Sequence, residues 1–173
     1  MTILPRDAFG TEPDISQTAD YVTVVVDGQL FGLPIGAVHD VFFTGAVTAV
    51  PLAPKQISGL INLRGRIVTA LCLRCLLGIP RTETLAGTMV VCIEHGGESF
   101  GLIVDKVGEV LNLPASGCQP NPLNLDPAWA RCSAGIHWLD GGLLVVIDIE
   151  ALLEPINFRT ADCPAPGFTG ALP

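Results

Sequence analysis

The sequence predicts a mostly β protein, in which two similar five-stranded β-barrels pack together and short helices follow each barrel. Its apolar runs are strand-sized, as in Met89–Ile93 and Leu143–Ile147. Glycine occupies the tight turns between such runs, where a positive φ costs it little. The same arrangement occurs twice along the chain, and internal repetition is the signature of a fold built from repeated units.

The first repeated unit, Tyr21–Phe42, reappears from Met89 onward. In each copy an apolar run leads through a glycine turn to a Phe-Gly-Leu sequence, which begins at Phe31 and at Phe100, an offset of 69 positions. Each copy predicts a strand, a turn and a second strand. A short helix is expected next, because valines follow at helical spacing. These valines are Val38 and Val41 in the first copy and Val107 and Val110 in the second.

The second repeated unit is Gly59–Gly65, which matches Gly135–Gly141 at an offset of 76 positions. The match continues into apolar positions at Leu71, Leu73, Leu76 and Leu77, and at Ile147, Ile149, Leu152 and Leu153. A lone hairpin is marginally stable in water, whereas a closed barrel buries its apolar face and removes exposed edges. The alternating units therefore predict two barrels, joined by irregular, proline-containing connectors at Thr44–Gln56 and Asn112–Arg131.

The length of 173 residues leaves room for one domain or two very small ones. The predicted domain covers residues 20–154. Residues 1–19 lack an apolar period and contain several acidic residues, so we expect a flexible acidic tail. Residues 155–173 are rich in Pro and Gly and predict a second tail, since this composition sustains neither a helix nor a strand ladder.

Composition limits the function classes. The chain carries 9 basic and 17 acidic residues, which argues against nucleic acid and anionic membrane surfaces, since both require clustered Lys and Arg. Neither a run of ~20 apolar residues nor a secretion signal is present, so we expect a cytoplasmic protein without direct membrane insertion. Because 49% of the residues are apolar, we expect apolar surface patches that contact other proteins.

Four residues suggest an alternative function, a zinc or redox protein. They are Cys72, Cys75, Cys92 and His95, whose two pairs have the spacing of a zinc site. Cys72 and Cys75 alone have the spacing of a redox pair, in which Arg74 would lower a thiol pKa. The repeat explains the first two positions without a metal, because Cys72 aligns with Asp148 and Cys75 with Ala151. We therefore predict no metal site and no cofactor, and keep this function as the alternative.

Catalysis is not predicted. The three histidines, His39, His95 and His137, lie outside any nucleophile motif. Glycine-rich turns such as the one at Asp140 lack the Lys-Ser or Lys-Thr that would complete a phosphate loop. A barrel module that binds an unrelated peptide is a further alternative.

The second unit and its surroundings resemble the CheW family, adaptors that couple chemoreceptors to a histidine kinase. The similarity extends over about residues 18 to 154 and includes the run Gly59–Gly65, Leu73-Arg74, and three further motifs in the family's order. These motifs are Val38-His39-Asp40-Val41, Val104-Asp105-Lys106-Val107 and Ile147-Asp148-Ile149-Glu150. The resemblance implies two SH3-like barrels and no enzymatic activity. It also implies chemotaxis partners, namely the regulatory domain of a CheA-like kinase and the cytoplasmic tip of membrane-bound chemoreceptors. Two similar but distinct barrels can make head-to-tail contacts, so ring-like assembly with the kinase or with further copies of this chain is also expected.

The resemblance also implies two contact surfaces. The receptor-binding residues would be Val38, Asp40, Arg64 and Val104, placed along a groove between the barrels. The kinase-binding residues would be Val41, Phe43, Ile57 and Leu60. We expect Asp40 to pair with the Arg64 guanidinium, and we expect only one of Phe42 and Phe43 to point inward, because neighbouring residues of a strand face opposite sides.

Two positions depart from the family pattern. Thr69 and Cys72 stand where the family usually has Pro and Asp, between the strand and the helix that follow Gly59–Gly65. An Asp there would cap the helix, a contribution of about 0.5–2 kcal/mol. The second copy retains this residue as Asp148, so the departure affects one corner of one barrel.

Overall fold

A computed structural model describes residues 17–156. Within these residues the strands are β1 (Thr18–Val26), β2 (Gln29–Pro34), β3 (Val38–Phe43), β4 (Ile57–Leu63), β5 (Arg66–Cys72), β6 (Met89–His95), β7 (Glu98–Val104), β8 (Lys106–Pro114), β9 (Ser133–Leu139) and β10 (Gly142–Ile147). The α-helices are α1 (Leu73–Leu76), α2 (Pro127–Cys132) and α3 (Ile149–Leu153). Single 3₁₀ turns occur at Ile35–Ala37, Ala115–Gly117 and Glu154–Ile156.

The described strands form two five-stranded sheets. The first sheet has the order β8-β1-β2-β10-β9, and the second has the order β3-β6-β7-β5-β4. Each sheet combines a hairpin from the first kind of repeated unit with one from the second, joined by a parallel pair, β2 with β10 and β5 with β7. The mostly β fold predicted from the repeat is confirmed, as are the short helices α1 and α3 after β5 and β10.

The main core lies between the two sheets. It contains side chains from both, among them Val24, Phe31, Leu71 and Leu102, each 0% exposed. Burying one such side chain contributes about 1.5–3 kcal/mol relative to leaving it in water. The second sheet curls around a smaller apolar cluster of its own, which consists of Ile61, Val68, Ala70, Val90 and Ile103.

The corresponding interior of the first sheet contains polar side chains. Thr23 is 4% exposed and donates its hydroxyl to the Glu109 carbonyl at 2.6 Å. His137 is 3% exposed, its ring lies 5.7 Å from that of Tyr21, and its Nε2 has no hydrogen-bond partner. Burial lowers the pKa of His137, which favours the neutral ring.

Two glycines at matched positions let a connector approach a sheet. A Cβ on Gly59 would collide with the Thr48 carbonyl oxygen, and one on Gly135 would lie 2.8 Å from the Gln119 carbonyl oxygen. The neighbouring residues pair with these connectors through the bridges Thr48 to Leu60 and Gln119 to Ile136. The two glycines of the repeat are therefore required by close backbone packing.

The prediction of helices at the paired valines was wrong, because Val38 and Val41 lie in β3 and Val107 and Val110 lie in β8. In β3 the pairing register shifts between Val38 and Asp40, which marks a β-bulge. A bulge adds one residue to a strand, so positions three apart reach the same side. Val38 and Val41 accordingly both pack against the main core.

The second connector also differs from the prediction, because Asn112–Arg131 includes the end of β8, a 3₁₀ turn and most of α2. Asp126 caps α2 by accepting the Ala128 N–H at 2.8 Å. Pro127 is compatible with a helix here because it occupies the first turn, where its missing N–H would have no helical partner.

The ends of the predicted domain are partly described. Strand β1 begins at Thr18, inside the segment 1–19 expected as a tail. The rest of that segment up to residue 16, and residues 157–173, lie outside the described residues. In the described part of the chain, no helix has the length and apolar character needed to cross a membrane.

Candidate functional site

An ion pair stands at the tip of the β4–β5 hairpin. The turn residues Arg64 and Gly65 have φ values of 50° and 88°, and the Asn62 Oδ1 accepts the Gly65 N–H at 2.9 Å. This conformation directs the Arg64 side chain, which is 90% exposed, towards β3. Its Nη2 lies 3.6 Å from Asp40 Oδ2, so the expected partnership is confirmed. A pair this exposed contributes only about 0–1 kcal/mol to stability.

The pair borders a groove of about 280 Å³, called here the Arg64 groove. Its lining consists of His39, Asp40, Leu63, Arg64, Arg66, Val68, Cys92, Ile93, Glu94 and Ser99. All of these residues belong to the second sheet or its turn, so the Arg64 groove lies within one sheet, whereas the resemblance implied a groove between two barrels. Its lining mixes apolar side chains with charges of both signs.

Sequence reasoning did not identify His39, Glu94 and Arg66 as parts of this groove. His39 Nε2 lies 3.3 Å from Glu94 Oε2, a contact between β3 and β6. His39 and Glu94 are far apart in sequence, and only the pairing of β3 with β6 brings them together. This separation explains why the sequence did not reveal their contact. Cys92 lies in the same groove, where burial and then the Asp40 carboxylate raise the pKa of its thiol, which favours the protonated thiol.

The structure places the other receptor-binding candidates differently. Val38 is half-buried next to His39 and packs against the main core. Val104 is 1% exposed and belongs to that core. Its side chain therefore has no surface for a partner, and its position in the sequence is explained by packing.

Phe43 is the most exposed of the kinase-binding candidates, at 74%. Phe42 packs against the interior of the second sheet, as expected for consecutive strand residues. Leu60 and Val41 are half-buried, whereas Ile57 is 9% exposed and part of the main core. Phe43 and Leu60 thus retain side-chain surface, and Ile57 presents almost none.

A second ion pair, which sequence reasoning missed, joins the two sheets. Arg74 in α1 donates to both carboxylate oxygens of Asp105, from Nε at 3.0 Å and from Nη2 at 2.6 Å. Asp105 also accepts the Asp27 N–H at 2.8 Å, and the Arg74 Nη1 lies 3.4 Å from Asp27 Oδ1. The Arg74 side chain is 15% exposed and that of Asp105 is 25% exposed. We call these three residues the inter-sheet latch.

The latch lowers the pKa of Asp105, chiefly through the hydrogen bonds from Arg74 and against the opposing effect of burial. The spacing of residues along the sequence does not predict this cluster, because its members come from α1, the β1–β2 turn and the β7–β8 junction. The signal in the sequence was indirect: Leu73-Arg74 and Val104-Asp105-Lys106-Val107 both belong to the motifs that carry the family resemblance.

The zinc interpretation is wrong for this fold. Cys75, His95 and Cys92 line three separate depressions, of about 570, 390 and 280 Å³ respectively. Among the described residues no group of three or more His, Cys, Asp or Glu side chains could hold a metal ion. The spacing of these residues follows from the repeat and brings no metal ligands together.

The fold matches that of a solved scaffolding protein, TtCheW from Thermoanaerobacter tengcongensis. The TM-score is 0.70 at 29% sequence identity, and the match covers 80% of this chain and 94% of the other. The architecture is therefore that of a scaffold protein. A sequence profile of the CheW-like domain matches residues 20–156, and the chain belongs to this family.

Curated relatives are similar over most of their length. The chemotaxis protein CheW of Thermotoga maritima is 27% identical over 149 residues, which cover 86% of this chain and 97% of the relative. The protein of the same name from Klebsiella aerogenes is 28% identical, with 83% and 86% covered. The family consists of non-catalytic chemotaxis scaffolds, so the prediction of an adaptor without enzymatic activity is confirmed.

Proposed function

We propose that this chain couples chemoreceptors to a CheA-type histidine kinase, by binding both at once. Family membership supports the general role, and the Arg64 groove is the observation that carries the specific one. Arg64 keeps 90% of its side chain exposed although a left-handed turn holds its backbone. A residue other than glycine in that conformation is uncommon, and its exposure leaves it free to meet a partner.

On the receptor side we assign Asp40, Arg64 and the exposed part of Val38. A receptor tip is a helical hairpin, and a helix binds a groove through an apolar stripe flanked by polar contacts. The half-buried Leu63 supplies apolar surface to the Arg64 groove, whose lining also includes the buried Val68 and Ile93. The Arg64–Asp40 pair would set the register of the receptor hairpin and its rate of association more than the affinity.

On the kinase side we assign Phe43 and Leu60, with a smaller part for Val41. An exposed aromatic residue on a strand is the type of side chain that anchors protein interfaces. Phe43 fits this description because its neighbour Phe42 already fills the interior of the sheet. Ile57 and Val104 support these surfaces from the core and do not contact partners.

The two surfaces together explain how a protein without catalysis can act in signalling. Binding the receptor and the kinase at the same time raises the effective concentration of one near the other. We place this action in the cytoplasm at membrane-bound receptor arrays. Two similar but distinct sheets also permit head-to-tail contacts, which close into rings when the rotation allows.

The proposal is tested by measuring the binding of the full chain to a receptor cytoplasmic fragment and to the kinase regulatory domain. We expect Arg64→Ala and Asp40→Ala to weaken receptor binding by up to about tenfold, and to leave kinase binding unchanged, because these charges border only the groove. Phe43→Ala should weaken kinase binding by about 30-fold, the effect of a typical anchor residue. Arg131→Ala, at an exposed arginine in α2, is the matched control.

The outcomes distinguish the function from the sites. Binding of neither partner by the folded wild type would contradict the coupling function. Binding of both partners that is unchanged in all three variants would retain the function and overturn the site assignment. Circular dichroism of each variant checks that the fold is intact.

A further inference from the structure

Two cysteines lie at the junction between β5 and α1. Cys72 is the last residue of the strand and precedes the helix, and Cys75 is the third residue of α1. In the matching junction of the other sheet, Asp148 caps α3 by accepting the N–H groups of Glu150 and Ala151. The Cys72 side chain makes no such capping hydrogen bond, so the thiol is not committed to the helix.

The two cysteines stand at the two sides of the first turn of α1. Cys72 occupies the N-cap position of α1 and Cys75 the third helical position, and an N-cap side chain can reach the backbone of the third helical residue. Burial raises the pKa of the Cys72 thiol, and the neighbouring Cys75 thiol raises it further. The junction therefore holds a dithiol whose members are each other's neighbours.

Only one of the two thiols is open to solvent. Cys75 is half-buried and lines a pocket of about 570 Å³ with Lys55, Arg81 and neighbouring residues. The Arg81 guanidinium lines the same pocket and is fixed by a 2.8 Å hydrogen bond to the Lys55 carbonyl. Cys72 is 6% exposed and lies behind it. A partly exposed cysteine beside a cation is the setting in which thiols react.

We propose that Cys72 and Cys75 form a redox-active dithiol, which a peroxide converts reversibly into an intramolecular disulfide. The Cys75 thiolate attacks one oxygen of hydrogen peroxide, the O–O bond breaks, and the other oxygen takes up the proton that the Cys75 thiol lost and leaves as water, so Cys75 becomes a sulfenic acid. The Cys72 sulfur then attacks the Cys75 sulfur, and the S–O bond breaks with release of a second water. Two thiols are oxidised and one peroxide is reduced.

The order of reaction follows from burial. Cys72 is 6% exposed and burial raises the pKa of its thiol, so the half-buried Cys75, which lines the pocket, reacts first and Cys72 resolves the intermediate. The other described cysteines lie elsewhere. Cys92 and Cys132 are buried, and Cys118 packs near Gly135 in the first sheet.

The test uses the full chain, reduced and then treated with hydrogen peroxide. The expected product has lost two hydrogens in its intact mass and regains them with dithiothreitol. Digestion with trypsin locates the disulfide, because Arg74 lies between the two cysteines and cleavage after it separates residues 67–74 from residues 75–81. The disulfide should join these two peptides, which are otherwise released separately.

Three variants assign the roles. Cys75→Ser should abolish the disulfide and leave Cys72 reduced. Cys72→Ser should stop at the sulfenic acid of Cys75, which dimedone traps. Cys118→Ser, a change at a cysteine of similar exposure, should oxidise like the wild type.

Three results would overturn the proposal. They are full alkylation of both thiols after peroxide treatment, a disulfide that maps to any other pair or between chains, and a peroxide response that persists in a folded Cys75→Ser variant. The experiment needs neither receptor nor kinase, so its outcome is independent of the coupling function.

Discussion

The two strand-to-helix junctions, β5–α1 and β10–α3, occupy matching positions and are stabilised differently. At the second, Asp148 Oδ1 accepts N–H groups at 3.0 and 3.2 Å. At the first, Cys72 provides no cap, and Arg74 connects the helix to the other sheet through Asp105. The comparison shows that the start of the helix can be held either by a side-chain cap or by an ion pair to a neighbouring element.

The interiors of the two sheets show a similar contrast. His137 in the first sheet matches Ile61 in the second, at the offset of the repeat, and both are at most 4% exposed. Ile61 packs in an apolar cluster, whereas His137 carries an unpartnered nitrogen. The same backbone plan thus encloses one fully apolar interior and one that contains a titratable group.

The largest effect should come from removing the latch with Arg74→Ala. The change leaves the carboxylates of Asp105 and Asp27 next to each other without a cation. Hydrogen bonds to charged groups contribute about 1.5–3 kcal/mol, so we expect a loss of about 2–3 kcal/mol in the free energy of unfolding. Urea denaturation measures it, with Lys106→Ala, at an exposed residue of β8, as the control. A loss equal to that of the control would show that the latch does not stabilise the junction.

A pH-dependent effect should distinguish the two interiors. Burial lowers the pKa of His137 in the folded protein. Below the ordinary histidine pKa of about 6.5, His137 is therefore protonated more fully in the unfolded chain than in the folded one. Stability should therefore fall as the pH drops from about 7.5 to about 5.5, by at most about 1.4 kcal/mol per unit. His137→Ile, which copies the residue of the second sheet, should remove this dependence. Urea midpoints that fall equally in both proteins would contradict the assignment.

A smaller effect is expected at the capped junction. Asp148→Ala removes both hydrogen bonds to the start of α3 and should cost about 1 kcal/mol, a typical value for a lost N-cap. Cys72→Ala at the uncapped junction removes no cap and should cost only the packing of a small buried thiol. The measurement is again the free energy of unfolding, with the reduced protein. If Asp148→Asn keeps the free energy of unfolding near that of the wild type while Asp148→Leu loses as much as Asp148→Ala, capping is the cause.

The smallest effect should be that of Arg64→Ala on stability. Its pair with Asp40 is exposed and 3.6 Å long, so we expect a change within about 0.5 kcal/mol. The melting temperature measures this difference, and a larger loss would mean that the hairpin tip is structural. Combined with weaker receptor binding, an unchanged stability would show that Arg64 serves contact and Arg74 serves the fold.

The repeat made the fold predictable. Matched glycines, matched turns and matched apolar positions all correspond to equivalent places in the two sheets, and the family motifs sufficed to predict the pair of Arg64 with Asp40. Local patterns were misleading where a bulge altered the period, as at Val38 and Val41, and where Pro127 began a helix in a stretch that its prolines marked as irregular.

The latch could not be predicted by the same reasoning. Arg74 and Asp105 meet only because the chain crosses from the second sheet to the first after β7. The burial of Val104 and Ile57 likewise depends on how the two sheets face each other. Contacts between sheets depend on three-dimensional packing, and a single sequence carries little direct record of them.

Strand β3 follows the β1–β2 hairpin of the first sheet but lies in the second, and β8 follows the β6–β7 hairpin of the second sheet but lies in the first. This exchange of strands affects how the chain folds. The parallel pairing of β2 with β10 joins Leu30 to Leu144, contacts of very high sequence separation. Such topologies fold slowly, since the entropy of closing a long loop is lost before its contacts form. The strands of the second sheet, β3 to β7, follow one another along the chain, whereas the first sheet joins β1 and β2 to β8, β9 and β10. A nascent chain can therefore complete the first sheet only after its final hairpin is made, and a chain cut between the repeats would divide the strands of both sheets between two pieces.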